Sequence, residues 1–351
     1  MNRLFCCLIL LGLTEGLLLA QSTMPGAHDP VMIKQDGTYY VFATGKGIRV
    51  WSSTDLEKWT PEAPVFESAP PWASALVPGF DNAEWAPDIS FHDGRYYLYY
   101  SVSQFGRNNS AIGVATNRTL NPRDANFKWV DHGPVVQSVP GRDMWNAIDP
   151  NLAFDDGGTP WLAFGSFWMG IKLVRLNPDL TSISRDPQTW YTIAARHRYW
   201  KLDERDAGDS ANPELDYDKL YPKDILEANR NMQSGAIEAP FIFKKSGYYY
   251  LFVSWDRCCR GKESTYKIVV GRSKTITGPY LDKDNVPMIH GGGSLVAKGN
   301  ADWAAVGHEA AYTIDGTDFL IFHGYDNADE GRPKLIIRKI IWEDDWPKIT
   351  L

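Results

Sequence analysis

Cysteine is scarce in this chain. Two of its four cysteines, Cys6 and Cys7, lie within the apolar first twenty residues, which leaves only the adjacent pair Cys258 and Cys259. Neighbouring cysteines cannot link distant segments, so a disulfide framework is excluded. They can close a ring with each other or stay as free thiols. No CxxC or His-rich segment accompanies them, which argues against a zinc site.

Long apolar runs and an excess of positive charge are also missing. Residues 4–13 are apolar after a basic start, and this run is too short to span a bilayer, so residues 1–20 are predicted to be a secretory signal. The net charge is −7 and no basic patch is present, which argues against nucleic-acid binding. We expect one mature domain over residues 21–351. It should be a monomer, extracellular or periplasmic, with no membrane contact after signal cleavage.

The signatures of several common enzyme classes are absent. The sequence contains no Gly-x-Ser-x-Gly elbow, no phosphate-binding loop and no dinucleotide-binding turn. The glycine run at residues 291–293 follows no convincing strand, and we interpret it as a loop. No organic cofactor is therefore expected.

The chain is rich in aromatic residues, which form 13% of it, and it contains an internal repeat. Five copies of a start segment are each followed seven residues later by a turn dipeptide and then by an aromatic-rich strand. The turns are Asp36-Gly37, Asp93-Gly94, Asp156-Gly157, Ser246-Gly247 and Asp315-Gly316. Such turns between apolar runs predict hairpins, and repeated small sheets predict an all-β fold, a five-bladed β-propeller. A β-sandwich is the alternative, but it does not explain the repeated start segment.

Aligning the repeats on their turns brings ionisable residues to equivalent positions. The aligned residues are Asp29, Ala86, Asp149, Ala239 and His308, and the blades are predicted to start near these residues. Glu238 precedes its aligned position by one residue and Glu84 by two. An isolated Asp usually stabilises a turn. Acids crowded at one channel mouth repel one another and raise one another's pKa, and the fold itself does not require such an arrangement. The coincidence predicts acid–base chemistry such as glycoside hydrolysis.

Short motifs around these positions occur in a specific order over essentially the whole mature chain. They include His28-Asp29-Pro30, Glu84-Trp85-Ala86-Pro87-Asp88, Asn146-Ala147-Ile148-Asp149-Pro150, Gly165-Ser166-Phe167-Trp168, Ile237-Glu238-Ala239-Pro240, Cys258-Cys259-Arg260-Gly261 and Gly307-His308. This pattern resembles the arabinanases of glycoside hydrolase family 43. The Ser-Phe-Trp segment and the paired cysteines favour the endo-acting α-1,5-L-arabinanases of that family.

The resemblance implies inverting, single-displacement hydrolysis of arabinan or arabino-oligosaccharides. It assigns the general base to Asp29, the general acid to Glu238, and to Asp149 the role of orienting that acid and modulating its pKa. An inverting site is expected to hold the base and acid carboxyls about 6.5–9.5 Å apart. His308 matches a position near a Ca²⁺ or Na⁺ ion in the channel, bound largely through waters. The implied substrate contacts are Trp85, Gly106, Asn146, Ile148, Ser166, Phe167 and Trp168.

Alternative interpretations remain open from the sequence. The same carboxylates would suit an exo-acting α-L-arabinofuranosidase or a β-xylosidase of the family, and a non-catalytic carbohydrate-binding propeller is a third reading. An insertion at about residues 196–233 is longer and more charged than the family pattern. We interpret it either as an exposed loop with a short helix or as a wall beside the substrate groove.

Overall fold

The computed structural model describes residues 25–185, 190–196 and 235–351. The predicted signal and nearly all of the insertion lie outside these residues. The described elements are almost all strands, with one short helix at Ala73–Leu76 and two 3₁₀ turns at Gly261–Glu263 and Met288–His290. None of the described helices is long and apolar enough to cross a bilayer.

Five antiparallel sheets follow one another along the chain as propeller blades. Blade 1 comprises β1 (Val31–Gln35), β2 (Thr38–Ala43), β3 (Arg49–Ser53) and β4 (Thr60–Glu62). Blade 2 comprises β5 (Trp85–His92), β6 (Arg95–Ser103), β7 (Ser110–Asn117) and β8 (Val130–Ser138). Blade 3 comprises β9 (Asn151–Phe154), β10 (Pro160–Phe164), β11 (Ile171–Arg175) and β12 (Trp190–Ala194).

The remaining two blades follow the same order. Blade 4 comprises β13 (Ile237–Lys245), β14 (Tyr248–Trp255), β15 (Lys267–Ser273) and β16 (Ser294–Lys298). Blade 5 comprises β17 (Trp303–Ile314), β18 (Thr317–Asp326) and β19 (Arg332–Lys339), and a separate hairpin of β20 (Ile341–Glu343) and β21 (Trp346–Lys348) follows it. The predicted five-bladed propeller is confirmed. Of the predicted blade starts, residues 86, 239 and 308 lie within the first strands of their sheets, whereas residues 28 and 149 lie two or three residues before theirs.

The predicted turns join the first two strands of each blade. In blade 1, Asp36 and Gly37 both have positive φ, 47° and 82°, as expected for the mirror-image turn that matches strand twist. The same pair of positive φ values recurs in blades 2, 4 and 5. Blade 3 differs because the additional Gly158, with φ 78°, lengthens the turn by one residue.

The five aligned start positions share one unusual backbone conformation, and we call these residues the rim residues. Their φ values are 53° at Asp29, 44° at Ala86, 57° at Asp149, 55° at Ala239 and 56° at His308. A positive φ is uncommon for residues other than glycine. Five such values at one repeat position mean that the sequence alignment identified structurally equivalent sites, and in blades 2, 4 and 5 the strand register also shifts there.

Polar side chains connect the rim residues of neighbouring blades. In each blade, the residue that precedes the rim residue pairs with a residue that lies in the second strand or directly follows it. We call this paired residue the facing residue. The facing residues are Thr44, Ser101, Gly165, Ser254 and His323. Four of them accept the rim N–H of the next blade, at distances of 2.8–3.1 Å. His323 does so for Asp29, which joins the last blade to the first.

Most of the largest fully buried side chains come from the aromatic-rich second strands. They include Phe42, Tyr99, Tyr100, Phe164, Tyr249, Tyr250, Phe252 and Phe322. Much of the aromatic content therefore packs between the blades, where burial of large rings is a major source of stability.

Candidate active site

Asp29 lies in blade 1 among three hydrogen-bonding groups. Its Oδ2 accepts the Thr44 hydroxyl at 2.5 Å and lies 2.8 Å from His28 Nδ1, while its Oδ1 lies 3.0 Å from His308 Nδ1. Burial alone would raise the pKa of Asp29, but the two histidines beside it hold that pKa well below its usual range. Asp29 is therefore ionised at neutral pH.

Glu238 lies in blade 4 with both carboxyl oxygens hydrogen bonded. Tyr266 donates to Oε1 and Ser166 donates to Oε2, both at 2.7 Å. Burial first, and then the nearby carboxylates, raise the pKa of Tyr266 well above its usual value, so this hydroxyl keeps its proton. Gly307 leaves room for Tyr266, since a Cβ there would lie 2.1 Å from its ring.

Asp149 takes the place of a facing residue at the junction of blades 3 and 4. The facing residue of blade 3 is Gly165, which has no side chain, and the N–H of Ala239 donates instead to Asp149 Oδ2 at 3.1 Å. Burial raises the pKa of Asp149 to about 8; His308 opposes this rise, whereas Glu238 and Asp29 add to it. Burial and the neighbouring acids therefore disfavour the ionised form of Asp149.

His308 supplies positive charge to this group of acids. Burial lowers the pKa of His308. Asp29, together with Asp149 and Glu238, outweighs this effect and raises the pKa to about 10. His308 uses Nδ1 toward Asp29, which leaves Nε2 as its remaining ligand atom. A carboxylate that orients a histidine in this way is a common second shell of metal sites.

Glu309 and Glu84 are two further buried acids of the rim region. Glu309 accepts the Ser254 hydroxyl at 2.7 Å, and burial raises its pKa to about 8. Its Oε1 is buried without a hydrogen-bond partner among the described residues. Glu84 accepts the Gly47 N–H at 2.7 Å and so braces a loop of blade 1. No role was predicted for Glu309, although its position directly after His308 was a usable signal.

The segment after β10 carries three predicted substrate contacts. Ser166 is engaged with Glu238, whereas Phe167 and Trp168 are half-buried and have positive φ values of 55° and 36°. The Phe167 N–H donates to the carbonyl of Ile237 at 2.7 Å, which ties this segment to blade 4 beside the acid. Strained backbone of this kind is common where side chains are aimed at a ligand.

The other predicted contacts differ in how open they are. Trp85 is half-buried at the start of β5, and Asn146 and Ile148 are buried before β9. The Asn146 amide oxygen accepts the Ser110 hydroxyl at 2.6 Å. Gly106 lies in an exposed turn with φ 73°, and a Cβ there would meet nothing, so the turn explains this glycine.

Phe105 is a candidate platform that the sequence analysis did not select. Its side chain is 76% exposed, in the loop after β6. That loop follows the facing residue Ser101 and therefore lies at the rim end of blade 2. An exposed aromatic ring there can stack on a sugar. A nearby aromatic residue, Trp145, packs on Trp190 with ring centres 4.6 Å apart, so its ring is engaged within the protein.

Comparison with known proteins agrees with this geometry. The sequence profile described as glycosyl hydrolases family 43 matches residues 23–347. The chain belongs to glycosyl hydrolase family 43. It is 48% identical over 323 residues to an extracellular exo-α-(1→5)-L-arabinofuranosidase of Cellvibrio japonicus, covering 92% of this chain and 86% of that protein. It is 40% identical over 324 residues to an extracellular endo-α-(1→5)-L-arabinanase of Bacillus subtilis, covering 91% and 86%.

A solved family 43 structure has the same fold. It is the α-L-arabinanase of Cellvibrio cellulosa complexed with arabinohexaose, with a TM-score of 0.82 and 46% identity. The match covers 93% of this chain and 96% of that one. The resemblance predicted from the motifs is confirmed, and the chain is a family 43 glycosidase.

Proposed function

We propose that this family 43 glycosidase hydrolyses α-1,5-linked L-arabinan with inversion, and that it attacks within the chain. The observation that carries this proposal is the convergence of Asp29, Asp149 and Glu238 from three blades. Their environments differ, since histidines surround Asp29 and hydroxyl donors surround Glu238. Glycoside hydrolysis uses two carboxyl groups in distinct roles, an acid and a base, and the two environments here are distinct. The names of the similar proteins support arabinan as the substrate.

Asp29 acts as the general base in this mechanism. It is ionised, and its contacts with Thr44, His28 and His308 fix both carboxylate oxygens. It takes a proton from a water whose oxygen bonds to the anomeric carbon on the face opposite the leaving group. His308 stabilises the ionised form through its positive charge.

Glu238 acts as the general acid. As the bond from the anomeric carbon to the leaving oxygen breaks, Glu238 gives that oxygen a proton. Burial and the charges of Glu238 and Asp29 raise the pKa of Asp149, so ionising Asp149 and Glu238 together is unfavourable and the pair as a unit retains a proton for the leaving oxygen more readily than an isolated carboxyl would. Tyr266 and Ser166 hold the Glu238 carboxyl in place.

His308 is also the residue that would hold a channel cation. In the neutral form of His308, with the proton on Nδ1 toward Asp29, Nε2 would offer one ligand atom, and in the protonated form the contact with the ion would run through water. The buried Glu309 Oε1, which has no hydrogen-bond partner among the described residues, is the kind of atom that a bound water or ion satisfies. Ca²⁺ and Na⁺ prefer oxygen, so waters would complete the shell. When bound, the cation would supply positive charge that stabilises the surrounding carboxylates.

Exo action is the second candidate, because a 48% identical relative is named an exo-acting arabinofuranosidase. Product analysis on linear arabinan separates the two. An endo enzyme releases oligosaccharides of several lengths early and lowers the viscosity quickly. Products of one short length from chain ends contradict endo action, and no release of sugar from any arabinan contradicts the hydrolase proposal and favours a carbohydrate-binding role. Activity confined to β-xylosides would instead indicate the xylosidase alternative.

Export is proposed on two grounds. Residues 1–20 have the composition of a secretory signal, and both named relatives are called extracellular. N-terminal sequencing of protein from the medium or periplasm tests this, with a start near Ala20 expected. A full-length chain confined to the cytoplasm would contradict it.

A further inference from the structure

A disulfide joins the adjacent residues Cys258 and Cys259 in the loop after β14. Cys259 is exposed and Cys258 is half-buried. Cys259 has φ 67°, a left-handed backbone conformation that is unusual for residues other than Gly, Asn and Asp. The mechanism above does not use this bond.

Hydrogen bonds connect the disulfide to the general base. The Cys259 N–H donates to the Tyr325 hydroxyl oxygen at 2.7 Å, and that oxygen lies 3.1 Å from His28 Nε2. The ionised Asp29 carboxylate can only accept from His28 Nδ1, so in neutral His28 the Nε2 atom is the acceptor and the Tyr325 hydroxyl is its donor. His28 then carries its proton on Nδ1, 2.8 Å from Asp29 Oδ2. The chain of contacts therefore favours the tautomer of neutral His28 that donates to the base.

Packing reinforces this connection. Tyr325 is buried with Tyr266 and Ala305 in one small cluster, and Cys258 packs against it. His28 stacks on His323 with ring centres 4.2 Å apart and meets Tyr325 edge-on at 6.2 Å. Movement of the cysteine loop would therefore disturb Tyr325 and, through it, His28.

We propose that the Cys258–Cys259 disulfide is a redox-sensitive positioning element for Asp29, acting through Tyr325 and His28. The inference rests on the proposed function. In the reduction step, a small dithiol attacks the exposed disulfide, the S–S bond breaks, both cysteines become thiols and the reagent is oxidised to its own disulfide. The Cys259 amide is then released from the ring, and the proton donor to His28 Nε2 loses its fixed position.

The test compares oxidised and reduced protein on linear arabinan. After treatment with dithiothreitol, with thiols counted by mass spectrometry and the fold checked by near-UV circular dichroism, kcat should fall about tenfold because the base is misplaced. KM should change by no more than about twofold, since the sugar contacts are untouched. Reoxidation with diamide should restore kcat. Unchanged kcat in folded, fully reduced protein would overturn the proposal.

Variants separate this route from a general loss of structure. The oxidised Tyr325→Phe protein should show the same fall in kcat at unchanged KM, and a Cys258→Ser/Cys259→Ser double variant should have low kcat that does not respond to dithiothreitol. Tyr280→Phe is the matched control, because the hydroxyl of this buried blade 4 tyrosine donates to the local Ile276 carbonyl and not to the acids or to His28. Wild-type kcat in oxidised Tyr325→Phe would show that the disulfide does not act through Tyr325.

A second readout does not need turnover. Side-chain ¹⁵N signals of His28 should report the Nδ1–H form in oxidised protein and should shift on reduction. If oxidised protein hydrolyses no arabinan, the proposed function fails, yet these signals still test the link to His28. Identical His28 signals in both redox states would overturn the link.

Discussion

Asp149 accepts the backbone N–H of Ala239 at 3.1 Å, the bond that a facing residue makes at each of the other four blade junctions. Gly165 leaves this junction without a facing side chain. The same carboxyl group therefore closes a blade junction and lies beside the proposed acid. A structural task and a chemical task are combined in one residue.

Two substitutions of Asp149 should separate these tasks. Asp149→Asn keeps an oxygen for the Ala239 N–H, whereas Asp149→Ala leaves that buried N–H unpaired. Both should lose most of their turnover, and the Ala variant should also be about 1–3 kcal/mol less stable than the Asn variant in urea unfolding. Ser101→Ala, which removes the equivalent bond to Asp149 N–H, should lose a similar amount of stability. Equal stability of the Asn and Ala variants would contradict the junction role.

Asp88 should make stability depend on pH. Burial raises its pKa from 3.8 to about 7, although hydrogen bonds from Leu152 N–H and Asn151 oppose the rise. Since the folded-state pKa is the higher one, the protonated carboxyl favours the fold at low pH, and this stability is lost as the pH rises from about 4 through about 7. The free energy of unfolding should therefore fall between about pH 4 and about pH 7.

Asp88→Asn tests this assignment because its side chain stays neutral. Over that pH range, the free energy of unfolding should fall more in the wild type than in Asp88→Asn, by an amount on the order of 2 kcal/mol. Asp93→Asn, at an exposed turn of the same blade, is the control and should keep the wild-type slope. Parallel curves for wild type and Asp88→Asn would show that Asp88 does not cause the pH dependence.

Tyr266 should support the proposed acid through one hydrogen bond. Tyr266→Phe keeps the ring in its buried site and removes the donor to Glu238, so kcat on arabinan should fall about tenfold with little change in KM. Gly307→Ala should do more, since its Cβ would overlap the ring and cost about 1–3 kcal/mol of stability as well. Wild-type kcat in Tyr266→Phe would remove this tyrosine from the acid's support.

The roles of Glu238 and Asp29 should separate on a substrate with a good leaving group. Glu238→Ala should lose far more activity on linear arabinan than on a dinitrophenyl arabinobioside, because dinitrophenolate leaves without protonation. Asp29→Ala should lose activity on both, since each reaction needs an activated water. Equal losses for Glu238→Ala on the two substrates would contradict its assignment as the acid.

The sequence was sufficient to predict the propeller because its signals are local and repeated. The turn dipeptides and the rim position recur in each blade, and the five positive φ values at the rim confirm that alignment. The convergence of Asp29, Asp149 and Glu238 followed from blade geometry.

The partners of the carboxyl groups were not predictable in the same way. Tyr266 reaches Glu238 through a contact between elements that no local pattern encodes, and the adjacency of His28 to Asp29 in the sequence does not show that the imidazole bonds the carboxyl group. The substitution of Asp149 for a missing facing side chain depends on Gly165, whose significance appears only when the junctions are compared. The disulfide stayed undecided because adjacent cysteines permit both redox states.

Hydrolysis of linear arabinan by Glu238→Ala tests the central claim most directly. With wild-type protein and a buried-acid control, Glu84→Gln, measured alongside, the account predicts a loss of about 10²–10⁴-fold in kcat for Glu238→Ala with the fold intact. Glu84→Gln should retain wild-type turnover. Undiminished hydrolysis by folded Glu238→Ala would contradict the account.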